Sequence, residues 1–412
     1  MPMSSNAPTN LALLYITHLN VSFHTIDIMN KRNIWIISGE SSGDMYGAML
    51  CKEMQKIAVA RGEHLRVAGM GGPRMKEAGV DILVDATELG VVGLIEVLKI
   101  IGKIIKIFRF LLNKAAEERP DAIVLIDYPG FNLRFAKQLH KRGHKVIWYV
   151  SPQVWSWGKH RIPKLAEYCD KMMVIFPFEP EVYASTKLDV EFVGHPLVEI
   201  INERNDASIV RDNETVLLLP GSRSMEINRL LVPMLETVLE LNCRRPNLKF
   251  ILSAPREKIF RHCADIIEKF RKSHPDMPEI KLTCGDTPYW QQRAGTGLAA
   301  SGTVTVECAL SGLPLVVVYK LNPISLLILG WMIKLFRGFF TMVNVIADKK
   351  VFEEFFQYKV KPQNLVPALE RILPGGERRQ EVEDDMKRVT EMIRGDLQGA
   401  SNRAAEICLD QQ

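Results

Sequence analysis

Leu298-Ala299-Ala300-Ser301-Gly302-Thr303-Val304-Thr305-Val306-Glu307-Cys308-Ala309-Leu310-Ser311-Gly312 is the stretch from which the rest of the chain can be read. Leu298–Ala300 ends an apolar run, Ser301-Gly302-Thr303 makes a tight turn, and Thr303–Leu310 has a helical pattern that Gly312 can stop in a left-handed cap. A strand, a small glycine-containing turn and a helix start form a ready anion site, because the first helical N–H groups lack intrahelical partners and the dipole favours negative charge there. Ser301 and Thr303 add hydroxyls, and Gly302 lets a phosphate approach the backbone. Glu307 lies one turn beyond Thr303 on the same helix face, where a carboxylate suits a ribose diol. The alternative is an ordinary capped helix with a solvated Glu.

The same β-turn-α unit recurs on both sides of this stretch. Asn33–Ser38 is an apolar strand, followed by Gly39-Glu40-Ser41-Ser42-Gly43-Asp44 and a helix over Met45–Gln55. Further strands are expected at His64–Ala68, Val80–Val84, Ala122–Ile126, Lys145–Val150, Lys171–Ile175 and Glu191–Val193. A second series begins with Thr215–Leu219, the turn Pro220-Gly221-Ser222-Arg223 and a helix over Met225–Leu241. It continues through Lys249–Ser253, Ile280–Leu282, Leu298–Ala300 and Leu315–Tyr319. Alternation of this kind implies an α/β protein with two doubly wound, right-handed parallel sheets. At 412 residues two domains are also the natural division. The boundaries expected are a leader over 1–29, disordered or an upstream start-site extension, an N-terminal domain over 30–201, a linker over 202–214 and a C-terminal domain over 215–381. A charged helical tail over 382–412 would pack back on the N-terminal domain or on a partner subunit.

Composition narrows the function classes. A hydrophobic content of 47% with 25% charged residues describes a well-packed globular protein. The net charge of +5 does not by itself imply nucleic acid, and it is compatible with an anionic substrate or membrane surface. The 7 cysteines are scattered without a C-x-x-C pair, which points to reduced thiols in a cytoplasmic setting rather than a disulfide frame or a zinc site. There is no H-E-x-x-H, no D-x-D triplet, and the leader lacks the cations and cleavage site of a secretory signal.

Two segments are lipophilic beyond ordinary need. Leu94–Leu112 places Lys99, Lys103, Lys106 and Arg109 on one face of an otherwise aliphatic helix, the pattern of a helix lying on an anionic bilayer; a core helix with a solvated face is the alternative. Ile324–Phe340 is interrupted by Lys334 and Arg337, so it falls short of the ~20 apolar residues needed to span a membrane. Its Trp331 suits an interface.

Candidate chemistry collects at the turns. Gly221, Ser222 and Arg223 with Ser301, Gly302, Thr303 and Glu307 form a nucleotide site in the C-terminal domain. Glu40, Ser41, Ser42 and Gly43 could receive an acceptor phosphate or simply hold strand against helix. Asp127 ends an apolar strand, where open α/β sheets place their sites, and Glu40 and Asp44 stand in reserve as carboxylates. The ordered set Gly39–Asp44, Gly71–Met75, Ile126–Asn132, Tyr149–Trp157, Gly194–Pro196, Pro220–Arg223 and Ala300–Glu307 closely resembles the lipid-A-disaccharide synthase family, bacterial glycosyltransferases of lipid A assembly. The resemblance runs from Asn33 to the C-terminus.

That resemblance implies a GT-B architecture of two Rossmann-like domains facing a cleft. It implies transfer from UDP-2,3-diacylglucosamine to 2,3-diacylglucosamine 1-phosphate (lipid X), giving a β(1→6) disaccharide and UDP. It makes Asp127 the general base, Arg223 a donor-diphosphate contact and Asn344 a third catalytic residue. Around Asn344 the chain departs from the family pattern, with Met342-Val343 for Leu-Pro and Asp348-Lys349 for Gly-Arg. No metal, no cofactor and no nucleic-acid partner is called for. The setting implied is the cytoplasmic face of the inner membrane, with peripheral attachment; a homodimer stays open. The rival of the same architecture is another UDP-sugar enzyme, a 2-epimerase or a different GT-B transferase. A non-catalytic lipid-binding protein would leave Asp127, Arg223 and Glu307 without purpose.

Overall fold

The computed structural model describes residues 31–86, 96–321, 338–396 and 398–410; of residues 96–101 and Trp157 it gives the backbone alone. The chain divides into two compact units. One holds the residues up to Val174, Glu179–Val193 and the stretch from Ser401 onward; the other holds Ile175–Phe178 and Gly194–Ala400.

The first unit is built on a seven-stranded parallel sheet. Its strands are β1 (Lys31–Ser38), β2 (His64–Gly71), β3 (Asp81–Asp85), β4 (Ala122–Ile126), β5 (Val146–Tyr149), β6 (Lys171–Val174) and β7 (Asp189–Phe192), in the order β3-β2-β1-β4-β5-β6-β7. Helices cover both faces, so the central strands read as unbroken apolar runs rather than alternating ones; all five residues of β4 and all four of β5 are buried. The second unit repeats the plan with β8 (Asp212–Leu219), β9 (Lys249–Ala254), β10 (Ile280–Cys284), β11 (Ala294–Ala300), β12 (Leu315–Tyr319) and β13 (Glu353–Phe356), in the order β10-β9-β8-β11-β12-β13, again all parallel. In each sheet the first strand in sequence lies inside, and the order reverses beside it: between β1 and β4 in one, between β8 and β11 in the other. Such reversal points are where open α/β sheets bind ligands, outside the carboxyl ends of the strands.

The expected strands are all present, with ends shifted by up to four residues. β13 has no counterpart in the expectation. Glu353-Glu354-Phe355-Phe356 offers neither an apolar run nor alternation, and its charges are satisfied locally: Glu353 pairs with Arg371 at 2.7 Å, and Glu354 accepts the Thr341 N–H at 2.7 Å. Asn202–Glu214 is not a linker between units. The helix Leu197–Arg204 and the start of β8 occupy its ends, and the whole stretch lies inside the second unit. The helical tail expected is two helices, and they belong to different units. Arg379–Arg394 belongs to the second unit, whereas Ala400–Asp410 closes on the first. There Ala404, Ala405, Cys408 and Leu409 are buried, Arg61 pairs with Asp410 at 2.7 Å, and Arg403 pairs with Glu191 at 2.6 Å. Glu191 also meets the buried Lys171 at 2.8 Å, so one carboxylate satisfies a sheet cation and anchors the last helix.

The basic apolar segment forms the helix Glu96–Glu118. Leu111, Leu112 and Ala115 are buried against the sheet, with Ile104, Ile107 and Phe108 packed beside them. Phe108 meets Phe131 and Phe135 edge-on, each with ring centroids 5.4 Å apart. The other face carries Lys103, Lys106 and Arg109 in solvent, together with Ile105 and Phe110, which are 46% and 47% exposed. No helix among the described residues is long and apolar enough to cross a membrane. Met1–Met29, Leu94, Ile95 and all of Ile324–Phe340 except Gly338–Phe340 lie outside the described residues, as does the Lys99 side chain.

Candidate active site

At the reversal point of the first sheet, Ser38 at the end of β1 pairs in register with Ile126 at the end of β4. The two chains leaving these strands therefore stand side by side. β1 passes through Gly39-Glu40 into the helix Ser41–Arg61, whose first residues Ser41 and Ser42 are exposed. β4 passes through Asp127-Tyr128 into the helix Pro129–His140. The fit between the two turns explains Gly39: a Cβ there would lie 2.3 Å from the Tyr128 ring. It also explains Gly43, whose Cβ would lie 2.4 Å from the buried Ser38 Oγ.

Asp127 and Tyr128 are both in the left-handed region, at φ 43° and 47°. Without glycine this costs roughly 1–2 kcal/mol per residue, and such strain persists where the surroundings over-determine it. Val150, at the end of the neighbouring β5, is a third case at φ 65°, and a β-branched residue there is a genuine outlier. Beyond it Ser151 Oγ and Tyr183 Oη share a 2.7 Å hydrogen bond, and the aromatic stretch turns into the short helix Val154–Trp157. Three non-glycine residues with positive φ thus lie at the carboxyl ends of β4 and β5, while a fourth in this unit, Arg119 at φ 44°, precedes β4.

Burial and the nearby Glu40 charge push the Asp127 carboxyl up to about 6, against a stabilising hydrogen bond from the Tyr128 N–H. A carboxylate tuned upward at a strand end is suited to taking a proton near neutral pH. Asp44 is a different matter. Although it shares the turn with Glu40, its carboxylate is buried and accepts the N–H groups of Gly72, Arg74 and Met75 at 2.7, 3.1 and 3.1 Å. It caps the start of the helix Pro73–Glu77 and is removed from the candidate bases. Asp44→Ala is accordingly expected to destabilise the protein by about 2–3 kcal/mol, the loss of charge-assisted bonds to buried donors, while turnover per folded molecule stays near wild type. Thermal melts beside activity on the soluble fraction check this.

The second reversal point is built alike. Leu219 at the end of β8 pairs in register with Ala299 near the end of β11, so the turn Pro220–Arg223 lies beside Ser301–Thr303. Gly221 is at φ 113°, and a Cβ there would lie 2.7 Å from a Glu226 carboxylate oxygen. Arg223 precedes the helix Ser224–Arg244 and its side chain is 81% exposed, with Nη1 3.4 Å from Glu226 Oε1. Gly302, before the helix Thr303–Leu310, has open space where a Cβ would be, and Thr303 is exposed. Gly312 closes that helix at φ 69°, and the Leu313 N–H returns to Cys308 O at 2.8 Å. Glu307 is half-buried and accepts from Gln291 Nε2 at 3.3 Å; Gln291 is 16 positions earlier, so no sequence pattern pointed to this partner. Arg256, whose Nη2 donates to Ser222 O at 3.3 Å, brings a second guanidinium to the same turn.

The segment that leads into the helix of Asn344 meets the second turn pair, Ser301 Oγ donating to Phe340 O at 3.5 Å. Asn344 itself is fully buried, with Nδ2 donating to Phe352 O and Oδ1 accepting the Phe352 N–H, both at 2.8 Å. Its side chain also hydrogen-bonds the half-buried Glu354 carboxylate. An amide so engaged holds β13 to the helix Met342–Ala347. His195 of Gly194-His195-Pro196 is likewise structural: burial pushes its imidazole down to about 3, and Nδ1 accepts the Leu197 N–H at 3.1 Å. Among the described residues no group of three or more His, Cys, Asp or Glu side chains could hold a metal ion.

Two turn pairs thus stand at two reversal points, one with a raised carboxylate and one with two guanidinium groups. Residues 34–408 match the family model of lipid-A-disaccharide synthetase. The chain belongs to this family. The lipid-A-disaccharide synthase of Coxiella burnetii (strain RSA 331 / Henzerling II) is 37% identical over 361 residues, 86% of this chain and 92% of that protein. That of Syntrophus aciditrophicus (strain SB) is 35% identical over 388 residues, covering 92% and 98%. Membership makes the chain a glycosyltransferase of lipid A biosynthesis.

Solved structures place the lipid-A-disaccharide synthetase fold among GT-B proteins. UDP-GlcNAc 2-epimerase from Neisseria meningitidis, bound to UDP-GlcNAc, superposes with a TM-score of 0.57 at 10% identity, covering 92% of this chain and 98% of that one. UGT73P12 from Glycyrrhiza uralensis, complexed with glycyrrhetinic acid 3-O-monoglucuronide, gives 0.59 at 11%, covering 93% and 96%. Two proteins with such different bound molecules fit equally well, so this likeness speaks for the fold alone.

Proposed function

We propose that the enzyme joins UDP-2,3-diacylglucosamine to 2,3-diacylglucosamine 1-phosphate (lipid X), giving the β(1→6)-linked disaccharide 1-phosphate and UDP with inversion and without a metal. The acceptor 6-hydroxyl oxygen attacks the anomeric carbon of the donor, Asp127 takes the hydroxyl proton, and the bond from that carbon to the β-phosphate oxygen breaks as UDP leaves. The observation that carries this reading is Asp127, a carboxyl raised to about 6 at the reversal point of a sheet. A general base works best when its pKa lies near the working pH.

The second unit then binds the donor nucleotide. Arg223 would meet the diphosphate beside the N–H groups opening the helix Thr303–Leu310, and Gly221, Ser222, Ser301, Gly302 and Thr303 would line its path. Glu307 would accept from the ribose hydroxyls. Glu40, Ser41, Ser42 and Gly43 border Asp127 and are assigned to the acceptor. The test is incubation of the purified protein with both diacyl substrates and mass analysis of the product. A disaccharide 1-phosphate supports the reading; interconversion of soluble UDP-N-acetylglucosamine without acyl substrate would favour the epimerase.

Acyl chains that prefer a bilayer require an enzyme that reaches one. The outer face of Glu96–Glu118, with Lys103, Lys106 and Arg109 around exposed Ile105 and Phe110, fits peripheral attachment to an anionic leaflet at the cytoplasmic face of the inner membrane. Each cation close to such a surface contributes about 1 kcal/mol. Replacing all three by Gln is expected to weaken binding to anionic liposomes by about 10²-fold at low salt, as read by co-sedimentation. Equal binding by variant and wild type would make this face an ordinary solvated one.

A further inference from the structure

β4 runs directly into two consecutive left-handed residues before Pro129 starts a helix. The peptide on the amino side of Asp127 is fixed from the sheet, its N–H donating to Tyr149 O at 3.1 Å. The second support comes from the helix. Asn132 is fully buried and reaches back across the turn: Nδ2 donates to Asp127 O at 2.8 Å and to Ile126 O at 3.2 Å. One amide group thus grips the carbonyls on both sides of the Asp127 Cα. Its other end, Asn132 Oδ1, is buried and has no hydrogen-bond partner among the described residues. A buried acceptor left unsatisfied is unfavourable, so packing alone does not account for an asparagine at this place; its donor end does.

We infer that Asn132 is a positioning residue for the transfer, clamping the two carbonyls that flank Asp127 and so fixing the direction in which the carboxylate leaves the strand. The inference rests on the reading of Asp127 as the base: Asn132 has no chemistry of its own and acts through its neighbour. Misplacement of a reacting group by about 1 Å can cost as much as 10²-fold in rate, and without the clamp the strained turn is free to relax toward ordinary backbone angles.

The experiment is a double-mutant cycle on the full chain, with Asn132→Leu, Asp127→Asn and both together, each assayed for kcat, KM for the UDP-sugar, pH profile and Tm. Asn132→Leu removes donor and idle acceptor at similar volume. We expect kcat to fall about 10–100-fold, KM for the donor to change less than twofold, and the acid limb of the profile to move. In the Asp127→Asn background Asn132→Leu should cost little more, because the group it positions is already gone. Unchanged kcat in folded Asn132→Leu, or losses that multiply independently in the double variant, would overturn the inference. Should Asn132→Leu fail to fold, Asn132→Ser, which keeps a short donor, carries the same cycle. Unchanged turnover in Asp127→Asn alone would instead sink the base assignment, and the role of Asn132 with it.

Discussion

Asp127→Asn is expected to lower turnover per folded molecule by about 10²–10⁴-fold, the usual contribution of a general base, with UDP affinity nearly unchanged. The substitution keeps shape and keeps an acceptor for the Tyr128 N–H, but its oxygen cannot take a proton. UDP affinity is spared because the nucleotide turns belong to the other unit. Wild-type turnover should fall about tenfold per pH unit below roughly pH 6, where Asp127 becomes protonated, and the variant's residual rate should lack that limb. Near wild-type turnover in well-folded Asp127→Asn eliminates it as the base. Glu40 would then be the carboxylate to examine, since Asp44 is committed to its cap.

The same group makes a stability prediction of opposite sign. Its folded pKa, about 6, lies above the ordinary value of 3.8, so folding favours the protonated form. The stability it contributes is complete below about pH 4 and is lost as pH rises through about 6. Above that, the buried carboxylate costs on the order of 2–3 kcal/mol, which a neutral amide avoids. Asp127→Asn should therefore melt higher than wild type at pH 8 and converge with it at pH 4. A residue kept only for folding would show the reverse, a variant less stable at every pH. Activity lost where stability is gained is the signature of a strained functional position.

Much of this architecture was legible because parallel sheets write themselves plainly. Ala122–Ile126, buried on both faces, can only be an apolar run, and the turns that end such runs must carry the small and polar residues of a site. Asp127 stood out for that reason, as did the Pro220–Arg223 and Ser301–Thr303 turns. What sequence could not show was which polar residues serve the chain itself. Asp44 reads like Glu40, yet its partners are N–H groups 28 to 31 positions away. Asn344 reads like a site residue, yet both ends of its amide meet the backbone of Phe352. Asn132 reads only as the last residue of the Ile126–Asn132 motif, and its bonds to the carbonyls around Asp127 appear only in the structure. Composition is blind to backbone strain, and short motifs are blind to partners distant in sequence.

Arg223→Ala is expected to weaken UDP binding about 10–100-fold and to lower turnover by about 10²–10³-fold. Charge-assisted contacts to phosphate contribute about 1.5–3 kcal/mol in the ground state, and a donor aimed at charge that develops as a leaving group departs is worth more in the transition state. The free enzyme is built for such a role: Arg223 is 81% exposed, and its contact with Glu226, at 3.4 Å, is easily exchanged for a diphosphate. Its removal should leave the fold intact, because a surface pair of this kind contributes at most about 1 kcal/mol. Arg223→Lys is the informative companion. An ammonium restores the charge but not the planar fork, so lysine should recover UDP affinity more fully than turnover. Isothermal titration with UDP beside steady-state kinetics separates the two effects. If Arg223→Ala binds UDP and turns over like wild type, the diphosphate does not lie against this turn, and Arg256, which reaches the same turn through Ser222 O, becomes the cation to test.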